Sequence, residues 1–220
     1  MTERNARTRL LIFDLDGTLV DSKDDIVESV NLALRSAGLP AFPGERVAAE
    51  IGRGSEVLFR RLLGENTAVD WIEELSRRFR RNYERNLTRR TKVYPGIRET
   101  LEHYRYLPKV VVTNKNQVFA DRLVDDLDLR PHFEAVFGQE AFPTRKPDPG
   151  PLREVCRRWN LPPAEAAMIG DSVFDLIAGK AAGLRTVGVL YGLGAEAELR
   201  RHRPDFTVRD AREIAALGFA

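Results

Sequence analysis

The chain has 220 residues, 43% apolar and 31% charged, with 35 basic side chains against 33 acidic and a net charge of +2. That length buries a real core as one domain or one domain with an insertion, and that composition excludes a disordered or fibrous protein. The polar opening MTERNARTRL lacks the apolar centre of a signal peptide, no run is long enough to span a bilayer, and the single cysteine rules out an internal disulfide; a cytoplasmic protein with no membrane partner is expected.

Leu10–Phe13 is a short continuous apolar run ending on acids and Gly17, the pattern of a strand buried on both faces of a parallel sheet. Ser22-Lys23-Asp24-Asp25 then has capping-box spacing, Ile26, Val30, Ala33, Leu34 and Ala37 follow at helical period, and Gly38 supplies a stop. Helical patterns continue over about 55–63 and 70–87. The latter enters an arginine-rich run from Arg77 to Lys92, read as a solvated helix face and not a nucleic-acid surface, with Phe79 and Tyr83 as core contacts. Apolar runs recur at Val110–Val112, Ala135–Phe137, Ala167–Ile169 and Thr186–Val189, with helices expected at 96–106, 116–127, 150–160 and 173–182. In the third of these, Cys156 shares a face with Leu152, Val155 and Trp159, which predicts a buried structural thiol.

Strands alternating with helices predict an α/β fold with a Rossmann-like, doubly wound parallel sheet. The gap between the first two runs is far longer than a crossover helix needs. The expected division is therefore a catalytic core of residues 1–20 and 92–220 with an inserted α-helical cap at 21–91. The cap leaves and re-enters through linkers near 19–22 and 89–95, where it would hinge.

Open α/β sheets place ligands at the carboxyl ends of their strands. Here those ends carry Asp14-Leu15-Asp16-Gly17-Thr18, Thr113-Asn114-Lys115, the Arg145-Lys146-Pro147-Asp148-Pro149 loop and Gly170-Asp171-Ser172, with Asp175 one helical turn on. Asp14 and Asp16, two apart in extended backbone, share a side. With Asp171 they repel one another unless a hard dication is present, and Mg²⁺ is the usual one beside phosphate. Lys146, a Thr113 hydroxyl and backbone N–H groups at Leu15–Gly17 supply the positive side of a phosphate site. One aspartate is then the nucleophile and the other a general acid and base. Each group alone also reads as turn or cap chemistry; the four together, in this order, do not.

The set DLDGTLVDS, VVVTNK, KPDP and GDSVFD, in order along nearly the whole chain, resembles the haloacid dehalogenase-like hydrolase superfamily, whose members are mostly phosphatases. The resemblance implies a Rossmann-like core with a helical cap after the first motif. It implies Asp14 as nucleophile and Asp16 as acid and base. It places Thr113, Asn114 and Lys146 at the phosphoryl group, and Mg²⁺ on Asp14, the Asp16 backbone carbonyl and Asp171. Asp175 and Ser172 stand behind them, Asp175 orienting Lys146 or the metal's water. The stretch Ile51-Gly52-Arg53-Gly54, Tyr94-Pro95-Gly96 and the tail Pro204-Asp205-Phe206 are most similar to the phosphoglycolate phosphatase branch, which implies a small-molecule phosphate ester such as 2-phosphoglycolate, with Arg53 facing its carboxylate.

Two other readings share parts of the pattern. A sugar phosphomutase keeps Asp14 and Asp16 and differs in the cap. A phospho-aspartate receiver or binding protein of the same sheet class keeps the phosphorylated aspartate, but the insertion and Asp16 oppose it. The leaving group and the oligomeric state are not legible in the residues.

Overall fold

The computed structural model describes residues 7–219. Strand β1 (Leu10–Phe13) is followed by the short β2 (Val20–Asp21), then helices α1 (Lys23–Ser36), α2 (Gly44–Ala48), α3 (Ser55–Leu63) and α4 (Val69–Asn86), and the short β3 (Lys92–Val93). The chain then alternates through α5 (Ile97–His103), β4 (Lys109–Val112), α6 (Gln117–Asp126), β5 (Ala135–Phe137), α7 (Gly150–Arg158), β6 (Ala166–Gly170), α8 (Val173–Ala182) and β7 (Arg185–Val189). It closes with α9 (Glu196–Arg201), β8 (Phe206–Val208) and α10 (Arg212–Ala215). No helix among the described residues is long and apolar enough to cross a membrane.

Six strands form one parallel sheet in the order β5-β4-β1-β6-β7-β8. The chain runs outward from β1 to one edge, then returns to the other side of β1, so the switch in direction lies beside β1. Phe13 pairs with Val111 on one side and Ile169 on the other, which brings the residues after all three strands to one rim. Alternation along the strands splits the core into two layers. Leu11, Phe13, Val111 and Ile169 point to one face, and Leu10, Ile12, Val110 and Met168 to the other. In the second layer Cys156 is buried among Leu152, Val155 and Trp159 as expected, and burial pushes its thiol up to about 11, away from reactivity.

Helices α1–α4 occupy the long gap, and β2 and β3 pair antiparallel through Val20–Val93 and Asp21–Lys92, so the two linkers run side by side. Buried Asp25 ties them: its Oδ2 accepts from the Arg90 and Thr91 N–H groups and the Thr91 hydroxyl, each at 2.8 Å. This corrects the capping-box expectation. Ser22 sits at the N-cap of α1 but makes no side-chain cap bond, and its hydroxyl instead donates to Asp16 at 2.5 Å. Partners outside the helix, Asp16 in the preceding turn and the distant second linker, have taken both polar groups of the motif. Strand β8 has too few apolar residues to announce itself. Asp205, just ahead of it, accepts from the N–H and hydroxyl of Thr186 on β7, and the β8 backbone pairs with β7.

Candidate active site

The chain leaves β1 into a tight turn at Asp14–Thr18. Gly17 has φ +81°, and a Cβ there would lie 2.0 Å from an Asp171 carboxylate oxygen, so only glycine lets the turn close on that side chain. Thr18 donates its hydroxyl to Asp171 Oδ1 and accepts the Asp171 N–H, each at 3.1 Å. Asp171 Oδ2 accepts from the Leu193 and Gly194 N–H groups at 2.8 and 3.2 Å. The loop after β7 therefore helps to aim this carboxylate.

Lys146 is the centre of the site. Its ammonium is buried and donates to Asp14 Oδ1 at 2.8 Å, Asp175 Oδ1 at 2.6 Å and the Val112 carbonyl at 2.6 Å. Asp175 lies at the start of α8, where a reciprocal capping box holds it: Asp175 Oδ2 accepts the Ser172 N–H at 3.0 Å, and the Ser172 hydroxyl accepts the Phe174 N–H. Asp175 and Ser172 thus stand behind the site, with Asp175 orienting Lys146. Oxygens of Asp14, Asp171 and Asp175 lie within 4.8 Å of one another, all buried, an all-carboxylate set suited to a hard dication.

The Asp16 carboxylate is not in that group. It accepts from Ser22 and, through both oxygens, from Lys115 Nζ at 2.9 Å; the same ammonium donates to the Tyr83 hydroxyl at 2.8 Å and lies over the Tyr83 ring. Lys115 is a site residue the sequence reading passed over. Its signal was present: Thr113 and Lys115 are two apart at a strand end, as are Asp14 and Asp16. Tyr83, expected as a core contact only, is fully buried and also meets Asp16 through Lys115, while its ring stands edge-on to Phe119 of α6 at 5.2 Å.

Thr113 accepts the Lys115 N–H at 3.2 Å, which leaves its hydroxyl hydrogen free to donate. Asn114 lines the space over Asp14, Asp16 and Thr113, and its amide nitrogen donates to the Gly52 carbonyl at 3.0 Å and the Lys146 carbonyl at 2.8 Å, so its two amide hydrogens bridge the helical segment and the sheet. Arg53 is placed otherwise than expected. Its Nε lies 3.0 Å from Glu50 Oε2 and its guanidinium sits 4.8 Å from the centre of the Phe174 ring, so its charge is already engaged.

The Glu50–Gly52 stretch divides the space over Asp14 and Asp16 in two. One side is a cavity of about 310 Å³ shared with Asp171, Ser172 and Arg53. The other is a cavity of about 80 Å³ lined by Thr113, Lys115, Ile51, Leu58, Phe79 and Arg80.

This arrangement has known counterparts. Residues 11–189 match the family model described as haloacid dehalogenase-like hydrolase. The chain belongs to that family. A phosphoglycolate phosphatase of Haemophilus influenzae is 34% identical to this hydrolase over 97% of its chain and 99% of the relative, and one of Chromobacterium violaceum is 35% identical over 94% of each. The crystal structure of a predicted phosphoglycolate phosphatase from Haemophilus somnus superposes with a TM-score of 0.90 at 30% identity, covering 96% of this chain and 97% of that one.

Electrostatics give the hydrolase a pH signature. Burial pushes Asp14 up to about 6, with Lys146 pulling it back and Asp175 and Asp16 adding to the rise. Asp171 is pushed up to about 8, by burial first, then by Asp14 and Asp175, against its bonds from Leu193 and Thr18. Both exceed the ordinary 3.8, so the folded state keeps protons that the unfolded chain has already lost. In EDTA, the stability contributed by these two carboxyls is expected to be fully present below about pH 4, to fall between about pH 4 and 8 and to be gone above that, while carboxylates held low by arginines, such as Glu154, lose their contribution only in strong acid. Thermal melts across that range check this: a magnesium-free melting temperature that rises toward pH 8 would contradict it. Added Mg²⁺ should flatten the slope, because a cation takes the place of the protons.

Proposed function

We propose that this hydrolase is a magnesium-dependent phosphatase of small phosphate monoesters, with 2-phosphoglycolate the first candidate, working through a phosphoryl group carried on Asp14. The observation that carries the reading is the buried Lys146 ammonium held between Asp14 and Asp175 at the rim where Thr113 also ends its strand. A buried cation beside one carboxylate oxygen keeps that group charged and leaves phosphate a positive wall to approach. The names of the relatives support the substrate class.

In the first step an Asp14 carboxylate oxygen forms a bond to phosphorus as the bond to the leaving oxygen breaks. Asp16 delivers a proton to that oxygen, so the alcohol departs neutral. In the second, Asp16 takes a proton from water, whose oxygen attacks phosphorus; the bond to Asp14 breaks and orthophosphate leaves. Lys146 and the Thr113 hydroxyl face the phosphoryl oxygens throughout. Asp16 accepts at both oxygens from Lys115, the geometry of the base step; the acid step requires Lys115 to move aside. Asp14, Asp171 and the Asp16 backbone carbonyl would hold Mg²⁺, which when bound offsets the clustered carboxylate charge and draws electron density from the phosphoryl group.

Residues 21–91 act in this proposal as a cap that opens for substrate and closes to exclude water, with Asn114–Gly52 and Tyr83–Lys115 as closing contacts. The test is phosphate release from a panel of monoesters with Mg²⁺ or with EDTA. Release from 2-phosphoglycolate that EDTA stops and Mg²⁺ restores is the expected result. Silence from every ester with Mg²⁺ present would refute the phosphatase, and transfer to a sugar hydroxyl without release would identify a mutase.

A further inference from the structure

Two cationic side chains line the 80 Å³ cavity beside Asp14, Asp16 and Thr113: Lys115 and Arg80. Lys115 is committed to Asp16 and Tyr83. Arg80, on α4, has no hydrogen bond, ion pair or ring contact among the described residues. Its neighbours in the arginine-rich run behave as a solvated face: Arg77 and Arg78 pair with Glu74, and Arg90 with Asp25 and Glu28. Arg80 alone of these also lines the cavity, and it is half-buried.

The acids near it are spent elsewhere or stand outside. Glu50, on the cavity wall, is met by Arg53. Glu140, in the adjoining groove, accepts from Asn116 and the Gln117 N–H. Glu56 and Glu84 line outer grooves and form no ion pair with Arg80. Arg80 also lines the two outer grooves, so its half-buried side chain runs past the apolar walls of Ile51, Leu58 and Phe119 with its charge hydrated and without a partner among the described residues, ready to exchange water for an anion. The space far exceeds the ~10–15 Å³ that one water needs and falls well short of the ~300 Å³ of a drug-sized site, so that anion must be small.

We propose that Arg80 sets substrate specificity by binding a carboxylate on the leaving group. The planar fork of arginine fits a carboxylate through two parallel N–H···O bonds, while a methylene between carboxylate and ester oxygen packs on the apolar walls. This rests on the phosphatase reading above and moves the carboxylate contact from Arg53 to Arg80.

The experiment compares kcat/KM for 2-phosphoglycolate and for 2-hydroxyethyl phosphate, its neutral counterpart, in wild type, Arg80→Gln, Arg80→Lys and Arg53→Gln, each with a thermal melt and p-nitrophenyl phosphate as a control ester. Wild type should prefer the carboxylate. Arg80→Gln should shrink that preference about 10- to 100-fold, mainly through KM, with the neutral ester losing far less. Arg80→Lys should retain part of it. A preference that survives Arg80→Gln, or collapses only in Arg53→Gln, overturns the assignment. A wild type that favours the neutral ester also overturns it while leaving the phosphatase standing. Failure on all three esters with Mg²⁺ present brings down the phosphatase and this inference together.

Discussion

Replacing Asp14 by asparagine is expected to abolish phosphate release, by at least about 10⁴-fold, while making the magnesium-free protein harder to melt. Loss of activity follows because an amide oxygen is too weak a nucleophile to form the bond to phosphorus. The gain in stability follows from the cost of the wild-type charge. Asp14 is buried, its carboxyl is pushed up to about 6, and it shares a 4.8 Å cluster with Asp171 and Asp175. Asparagine is nearly the same size, carries no charge, and can still accept from Lys146 at 2.8 Å. Removing that charge should also draw Asp171 down toward its ordinary value, since Asp14 stands second among the causes of its rise. Release assays and melts in EDTA near pH 8 decide the matter. A variant that is inactive but also less stable would mean that Asp14 is needed for folding, and its inactivity would then say nothing of the nucleophile.

Lys146→Met carries the second large effect, and there both quantities fall. The ammonium is buried against Asp14, Asp175 and the Val112 carbonyl. Burial opposes its charge, but Asp14 and Asp175 outweigh that and raise its pKa. Methionine fills much of the volume and leaves two carboxylates without their cation, a loss of about 3–5 kcal/mol for a broken buried pair. The damage should shrink toward acid pH, where the freed carboxylates take up protons. Joining Asp14→Asn to Lys146→Met should restore part of the stability and none of the activity. Urea unfolding of the single and double variants tests this: strictly additive losses would show that the two groups are not coupled.

The legible parts of the fold were those with dense local signals. Leu10–Phe13 and Ala135–Phe137 were read to the residue, and the other three strands to within one at each end. A strand buried on both faces leaves an unbroken apolar run, and this sheet is covered on both faces over most of its width. Edge strand β8, with a partly exposed Phe206, and the two-residue strands β2 and β3 have no such run and were missed. The length of the gap marked an insertion, and α1, α3 and α4 within it were legible from their periodicity, whereas the five-residue α2 was not.

The motif residues were legible as a set because parallel strands bring all their carboxyl ends to one rim, so chain order alone predicts convergence. Side-chain commitments were not legible. Asn114 meets Gly52, 62 residues away, whereas Ser22 meets Asp16 six residues back and Arg53 meets Glu50 three residues back while stacking on distant Phe174; none of these choices follows from local propensity alone. Local sequence fixes which hydrogen bonds a side chain is able to make. The long-range packing of α1–α4 onto the sheet decides which of them are made, because burial removes water as the alternative partner. From the residues alone, this protein was determined to be a parallel α/β hydrolase with a carboxylate-and-lysine centre. Only the tertiary structure decided that the centre is clasped by Lys115 and Tyr83 and that Arg80 lines the cavity beside it with no partner among the described residues.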